Sequence, residues 1–537
     1  MPKNCLLGII ATMSTQPKSF HWADIYADKI VREKGPKEQY TCASGITPSG
    51  TVHIGNFREI ISVELIVRAL RDKGHKVRFI YSWDDYDVFR KVPKNMPKPE
   101  VLETYLRKPI TLVPDTNGEY SSYAESHEQA VETLLPVVGI EPEYLYQAQK
   151  YRASEYAKEM RLALEKRDEI KAALDEYRTT PLEDDWFPIS VFSNFTDKDT
   201  TTILEWDGEW QVTYRDDENG KVETIDLRNT SAAKLPWRID WPMRWVYEGV
   251  DFEPAGKDHH SEGGSFDTSK HIVKILGGEA PVSFQYDFLS IKGRGGKISS
   301  STGEVISLAD VLEVYTPEVT RYLFASTRPN TEFAISFDLD VLKIYEDYDT
   351  CERIYFGLQQ ANEKRTDKER RIFELSQVRE VPTEASYQIP FRHLCNLLQI
   401  NSGDSDAVIA GLTDLLPSQE KRLRERCVCA WNWITNYSPE DFRWVLRGSE
   451  EPLIELSQEA IKGIKELHAV VEHLEEYDEK QLSEEIYAVA HRNEIDPPEL
   501  FKAVYLVLIG KERGPKLAGF VITCGKEKIL PILGRYL

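Results

Sequence analysis

His53 and Asn56 stand three residues apart just beyond the turn Gly45-Ile46-Thr47-Pro48-Ser49-Gly50. On the first turn of a helix that spacing puts both side chains on one face, where they can hydrogen-bond an oxyanion and the charge that grows on it during reaction. Gly45 and Gly50 let backbone approach a ligand and Pro48 stiffens the turn. The amide groups and positive dipole end of a helix start make phosphate the natural occupant. Gly55 leaves room for a flat base or a ribose. A second stretch offers related chemistry. The loop Lys292 to Gly303 carries three cations and four hydroxyls on a Gly-rich chain, suited to closing over phosphate oxygens. Lys297 would contribute most if its contact tightened as charge developed on a departing group.

Two further segments combine aromatic and charged residues. In Leu235 to Trp245 three tryptophans, Trp237, Trp241 and Trp245, recur every four residues around Arg238, Asp240 and Arg244, and Gly256 to Asp267 carries Asp258, His259 and His260. Such a stripe serves a core, and it also suits a slot whose indole walls hold a methylene chain while a carboxylate pairs an ammonium. Asp84, Asp85, Asp240 and Asp258 are all candidates for that carboxylate.

The elements that must position these residues can be read from periodicity. Trp22, Ile25, Tyr26 and Ile30 fall at helical spacing and Gly35-Pro36 ends the pattern. A strand over 39–44, the Gly-rich turn, a helix over 52–73 closed by Gly74 and a strand over 76–82 make a βαβ unit, and so a parallel, doubly wound sheet. From Val92 to Asn229 the pattern changes to helical stretches, prolines and the polar run Asp216 to Gly220, as in an insertion. Nucleotide-fold character returns at 235–250, and 281–291 reads as one buried strand. Beyond Asp340, Val341, Ile344, Tyr348, Cys351, Tyr355 and Leu358 recur at helical steps. The fold class expected is α/β: a Rossmann-type doubly wound parallel sheet with an inserted connective domain, followed by an all-α C-terminal domain. The expected divisions are an N-terminal extension (1–19), a catalytic domain (20–92 and 230–310), a connective insertion (93–229), a further segment (311–345) and a helical domain (346–537).

Bulk properties narrow the function. With 537 residues the chain is expected to form several domains. It has no apolar run near the ~20 residues that span a bilayer, so no membrane role is expected. Seven cysteines without a C-x-x-C pair argue against a disulfide framework and fit a reducing cytoplasm. A formal charge of -22 disfavours non-specific binding to phosphate backbones, DNA included, so an RNA partner must be met by local patches. One such patch is 511–537, where six lysines and arginines face two glutamates.

Pro48 to Asn56 resembles the HIGH signature of the class I aminoacyl-tRNA synthetases, in a HIGN form. Lys297-Ile298-Ser299-Ser300-Ser301 resembles the KMSKS signature that accompanies it, with Ser300 where a second lysine usually stands; Lys292 or Arg294 could supply that contact. With Ser82 to Asp87, the Trp segment, Gly256 to Asp267, Pro390 to Leu394 and Lys511 to Leu517, the chain from about Phe20 onward resembles the class I lysyl-tRNA synthetases. The resemblance implies ligation of lysine to tRNA(Lys) through a lysyl-adenylate, with 311–345 contacting the stem and 346–537 reading the anticodon. It implies ATP, as its Mg2+ complex, at Pro48, Gly50, His53, Gly55, Asn56, Lys297, Ser299 and Ser300, with His53, Asn56 and Lys297 catalytic. Lysine would lie at Gly45, Thr47, Trp237, His259 and Tyr286, with His260 competing for the role of His259. Some relatives hold zinc in the insertion. This chain has no cysteine between Cys42 and Cys351 and only His127 there, so no metal site is expected. A monomer is expected. Two other readings stand beside this one: a class I synthetase for glutamate or glutamine, and a catalytically silent relative that binds tRNA.

Overall fold

The computed structural model describes residues 21–292, 305–412, 415–448 and 450–537. The expected extension 1–19, and Lys297, Ser299 and Ser300, lie outside the described residues. Helix α1 (Trp22–Lys34) buries Ala23, Ala27 and Ile30 and ends at Gly35, whose φ of 71° needs a residue without Cβ. Strand β1 (Tyr40–Ile46) pairs in parallel with β2 (Val77–Trp83) through the crossover helix α2 (Ile54–Asp72), and β2 pairs in parallel with β3 (Glu143–Tyr146).

On its other side β1 meets the chain at Phe252, which in turn meets Val282, both in parallel bridges. Ala43 N donates to Phe252 O at 2.8 Å and Val282 N to Asp251 O at 2.8 Å. Ala255–Gly256 then pairs with Gln285–Tyr286. The chain therefore reverses its direction of winding at β1, and the crevice between the carboxyl ends of β1 and of the 251–256 strand is the switch point where doubly wound sheets take their ligands.

α2 is buried nearly all round, and its polar residues have dedicated partners. Arg58, 2% exposed, donates to the carbonyls of Asp287 (2.7 Å), Phe288 (2.9 Å), Pro329 (2.7 Å) and Thr331 (2.6 Å). Arg321, fully buried, pairs with Glu64 at 2.6 Å and donates to the carbonyls of Val138 (2.8 Å) and Leu375 (2.9 Å).

Several boundaries differ from the expected ones. The single strand over 281–291 is broken. Arg58 takes the carbonyls of Asp287 and Phe288, and Leu289–Ile291 pairs with Phe333–Ile335 instead. The stretch 93–229 is not wholly an insertion, because it supplies β3 at the sheet edge. It also holds a three-stranded antiparallel meander, Thr201–Trp206, Gln211–Asp216 and Val222–Asp226, where helices were expected. The polar run from Asp216 is its second turn: Asp216 is buried, accepts from Ser193 Oγ at 2.5 Å and Thr196 Oγ at 2.8 Å, and Gly220 has φ 72°. The divisions at 310/311 and 345/346 fall inside the helices Leu308–Val314 and Asp340–Tyr355. Buried residues between 341 and 434 share the core of the sheet, except Ile400, which joins a second core that runs from Trp444 to Leu533.

Replacing Arg321 by Met leaves two buried carbonyls without this donor and the Glu64 carboxylate with Arg68, at 3.0 Å, in place of two cations. We expect a loss of roughly 3–5 kcal/mol in urea unfolding, partly restored by adding Glu64→Gln.

Candidate functional site

At the switch point a small cavity of about 60 Å3 is lined by Gly45, Glu59, Ser82, Asp84, Trp237, Trp241, Arg244, Glu253 and His259, among others. Gly45 is there because nothing larger fits: a Cβ at this position would lie 2.7 Å from the carbonyl oxygen of Ser82 on the neighbouring strand. The helix Trp237–Glu248 places its tryptophans on one side. Trp237 and Trp241 stack with centroids 4.9 Å apart, and His259 and Phe266 meet Trp241 edge-on at 5.8 and 5.7 Å. Trp241 and Trp245 belong to the core, whereas half-buried Trp237 faces the cavity, so one stripe serves both purposes.

The charges around this cavity do not cancel. Among the described residues Arg244 is the one lysine or arginine that lines it. It donates to Asp84 Oδ1 at 2.6 Å and Ser82 Oγ at 2.7 Å, lies 3.3 Å from Asp240 Oδ2, and packs over the Trp237 ring. Glu59 and Glu253 have only neutral donors among the described residues. Glu59 accepts from Ser44 Oγ (2.8 Å), Gly45 N (3.3 Å) and Tyr286 Oη (2.5 Å), and Glu253 accepts from Trp245 Nε1 (2.6 Å). Burial pushes the Glu59 carboxyl above its ordinary range, takes Glu253 up to about 7 and Asp84 up to about 6. A surplus of carboxylates inside indole walls is a site for a cation on an apolar stem.

Beside it lies the start of α2. His53 is the N-cap: its Nδ1 accepts from Asn56 N at 3.2 Å while Asn56 Oδ1 accepts from His53 N at 3.1 Å, a reciprocal cap that fixes both side chains. A Cβ on Gly55 would meet the His53 ring at 2.8 Å, so this glycine makes room for the imidazole. Ile54 N donates to Ile306 O at 2.8 Å, which brings the chain that follows 293–304 against this helix start.

Of the residues read as a lysine pocket, Gly45, Trp237 and His259 line the cavity, and Tyr286 reaches it through Glu59. Thr47 does not line it; its hydroxyl donates to Asp87 Oδ2 at 3.0 Å and it borders a different cavity. His260 turns toward Ser283 Oγ at 3.3 Å, leaving His259 at the cavity. Of the four candidate carboxylates, Asp84 lines the cavity but is held by Arg244, Asp240 accepts from the Tyr151 hydroxyl, Asp85 accepts from Ala148 N at 2.8 Å, and Asp258 is exposed. Lys292 pairs with Asp338 at 3.4 Å and with Asp340. Glu59, Glu253 and Ser82 were not singled out as pocket residues, and Trp241 and Arg244 were named only within the tryptophan stripe. The signal for Glu59 was present, since it is the first carboxylate on the helix that begins at the His53 signature. Among the described residues no group of three or more His, Cys, Asp or Glu could hold a metal, and no helix is long and apolar enough to cross a membrane.

Residues 20–379 match the model of the family described as tRNA synthetases class I (K), and residues 449–534 match the anticodon binding domain. A lysine–tRNA ligase of Borreliella burgdorferi is 55% identical over 97% of this chain and 100% of its own. One from Treponema pallidum is 54% identical over 98% and 100%, and one from Thermococcus kodakarensis 43% identical over 95% and 98%.

Because the Glu253 carboxyl binds its proton more tightly folded than unfolded, the folded chain holds the extra proton between about pH 4.5 and 7, and stability falls as pH rises through that window. Glu253→Gln should flatten this slope by up to ~1.4 kcal/mol per pH unit in urea unfolding series run across the window.

Proposed function

This chain belongs to the class I tRNA synthetases of the lysine kind, and on that premise we propose how its own residues carry the reaction. It is an ATP-dependent lysine–tRNA ligase. In the first step the lysine carboxylate attacks the α-phosphate of ATP, supplied as its Mg2+ complex, giving lysyl-adenylate and pyrophosphate. In the second a hydroxyl of the tRNA's terminal ribose attacks the acyl carbon and AMP departs.

The observation that carries the assignment of residues is the charge surplus at the switch point. The lysine side chain lies along Trp237 with its ammonium at the Glu59 carboxylate, oriented by Tyr286, with Glu253 and Asp84 adding to the negative field. Glu59, Glu253 and Asp84 are all carboxylates, so a glutamate side chain would meet repulsion. Arg244 keeps Asp84 and Asp240 from repelling one another when the pocket is empty. His259, held by Ser265 Oγ at 2.5 Å, closes the side of the pocket.

His53 and Asn56 act on the phosphates. With Nδ1 accepting the Asn56 amide, a neutral His53 ring carries its proton on Nε2, a donor for a phosphate oxygen. Pro48, Gly50 and Gly55 leave backbone near the nucleotide. Lys297, with Ser299 and Ser300, neutralises the departing pyrophosphate; the approach of Ile306 to Ile54 supports this role. Catalysis is then mainly positioning and charge stabilisation. The helical C-terminal part reads the anticodon, and the enzyme works as a monomer.

ATP–pyrophosphate exchange tests these roles. Glu59→Gln should raise the KM for lysine by ~30–150-fold, the cost of an unpaired ammonium, with a smaller change in kcat. An unchanged lysine KM would remove Glu59 from the pocket. His53→Ala should lower the kcat of exchange by ~100–1,000-fold, as loss of a transition-state donor does, while tRNA affinity stays the same. Unaltered exchange in that variant contradicts its role.

A further inference from the structure

Ser82 lines the pocket at the carboxyl end of β2, where it pairs with Gly45 of β1. Its hydroxyl oxygen is taken from two sides: Gln147 Nε2 donates to it at 2.7 Å and Arg244 Nη1 at 2.7 Å. Neither donor is able to accept, so both lone pairs of the hydroxyl are occupied and its proton is left to be donated. Among the described residues that proton meets no acceptor.

The orientation of the Gln147 amide decides this. Gln147 is 2% exposed, opens the helix Gln147–Arg152 that follows β3, and accepts at Oε1 from the Tyr156 hydroxyl at 2.9 Å. With the amide turned over, Ser82 would donate to Gln147 and the Tyr156 hydroxyl would have to accept. Tyr156 is fully buried and Gln147 is its one acceptor among the described residues, so its own proton would then be stranded. Ser82, by contrast, faces the cavity, where its proton has room for a ligand. Tyr156 therefore sets Gln147, and Gln147 together with Arg244 makes Ser82 a donor only. The arrangement joins three elements far apart in the chain: β2, the helix after β3 and the helix Trp237–Glu248 that carries Arg244.

We infer that Ser82 donates its hydroxyl proton to the carboxylate of bound lysine, and that Gln147, fixed by Tyr156, is the positioning residue that reserves the proton for it. Lysine carries two ammonium groups, which only donate, and one carboxylate, the only acceptor it has. A hydroxyl confined to donating can meet the substrate at that group alone. The contact turns one carboxylate oxygen toward the pocket wall and leaves the other to attack the α-phosphate. Glu59, Glu253 and Asp84 repel a carboxylate, and a neutral donor steadies it without cancelling the field that holds the ammonium. The inference rests on the ligase reading above and adds to it the group that orients the nucleophile.

The test is lysine-dependent ATP–pyrophosphate exchange by the full-length chain, with cadaverine, which is lysine without its carboxylate, as a competitive inhibitor. Ser82→Ala should lower kcat/KM for lysine by about 10–100-fold, the loss of one hydrogen bond to a charged group, and leave the cadaverine Ki within about twofold of the parent, which also shows that the pocket is intact. Gln147→Glu puts an acceptor where the amide donated; it should draw the Ser82 proton away from the substrate and cost as much. The double variant Ser82→Ala, Gln147→Glu should lose no more than Ser82→Ala alone, as only a residue acting through Ser82 would do. Should Gln147→Glu fail to bind cadaverine, Gln147→Leu takes its place in the same cycle. A cadaverine Ki that rises in step with the loss for lysine would put the hydroxyl beside the side chain and overturn the inference, as would unchanged exchange in Ser82→Ala. Losses that add in the double variant would remove Gln147 from its role. A parent with no lysine-dependent exchange would refute the ligase reading instead, and calorimetric binding of lysine and of cadaverine to parent and Ser82→Ala would still decide this one.

Discussion

Carboxylates crowded into a cavity with one guanidinium between them repel, and holding them there without their substrate is the constraint the rest of this molecule answers. Arg244 ties Asp84 to Asp240, so the two acids nearest each other share a cation, and Glu59 and Glu253 are left with hydroxyl, indole and amide donors. Burial raises the carboxyls toward neutrality, so the empty site can relieve its repulsion by holding protons. In the proposed assignment an entering ammonium replaces those protons. On that assignment, selectivity for a cationic side chain comes from the shortage of positive charge among the described residues around the cavity.

One helix connects that pocket to everything around it. α2 carries His53 and Asn56 at its cap, Glu59 one and a half turns on, Arg58 pointing the opposite way into five carbonyls, and Glu64 in the ion pair with Arg321. The Arg58 contacts hold 287–288 and 328–331 together, and Asp287 follows Tyr286, the residue that orients Glu59. The proposed phosphate end, the proposed ammonium end and the core packing thus lie on a single rod, which in that assignment sets the distance from the lysine carboxylate to the nucleotide.

A strongly acidic enzyme with a polyanionic substrate must concentrate its cations. The 90–98 segment carries four exposed cations and no carboxylate, in a chain whose net charge of -22 repels polyanions on average. Separate cores before and after about residue 440 allow the helical end of the chain to pack on its own terms, apart from the sheet.

The local chemistry was legible from residue order alone. The glycine turn, α1, β1, α2 and β2 all follow from short-range spacing, and they formed within a residue or two of where that spacing put them, whereas the reciprocal cap of His53 and Asn56 was not read. Gly45, Trp237, His259 and Tyr286 were named through a family resemblance rather than through any pattern. What sequence order could not give was pairing at a distance. β3 looked like part of an insertion because its four residues carry no long apolar run, and only the sheet edge decides that Glu143–Tyr146 is a strand of the parallel sheet. Asp84 and Asp240 read as free acids until Arg244 folded between them, and Glu59 became the carboxylate of the pocket only because the strand carrying Tyr286 came to lie against α2. Hydrogen bonds and charges act over a few ångströms, whatever the separation along the chain, so which acid is left without a cation is settled by tertiary packing and by nothing shorter in range.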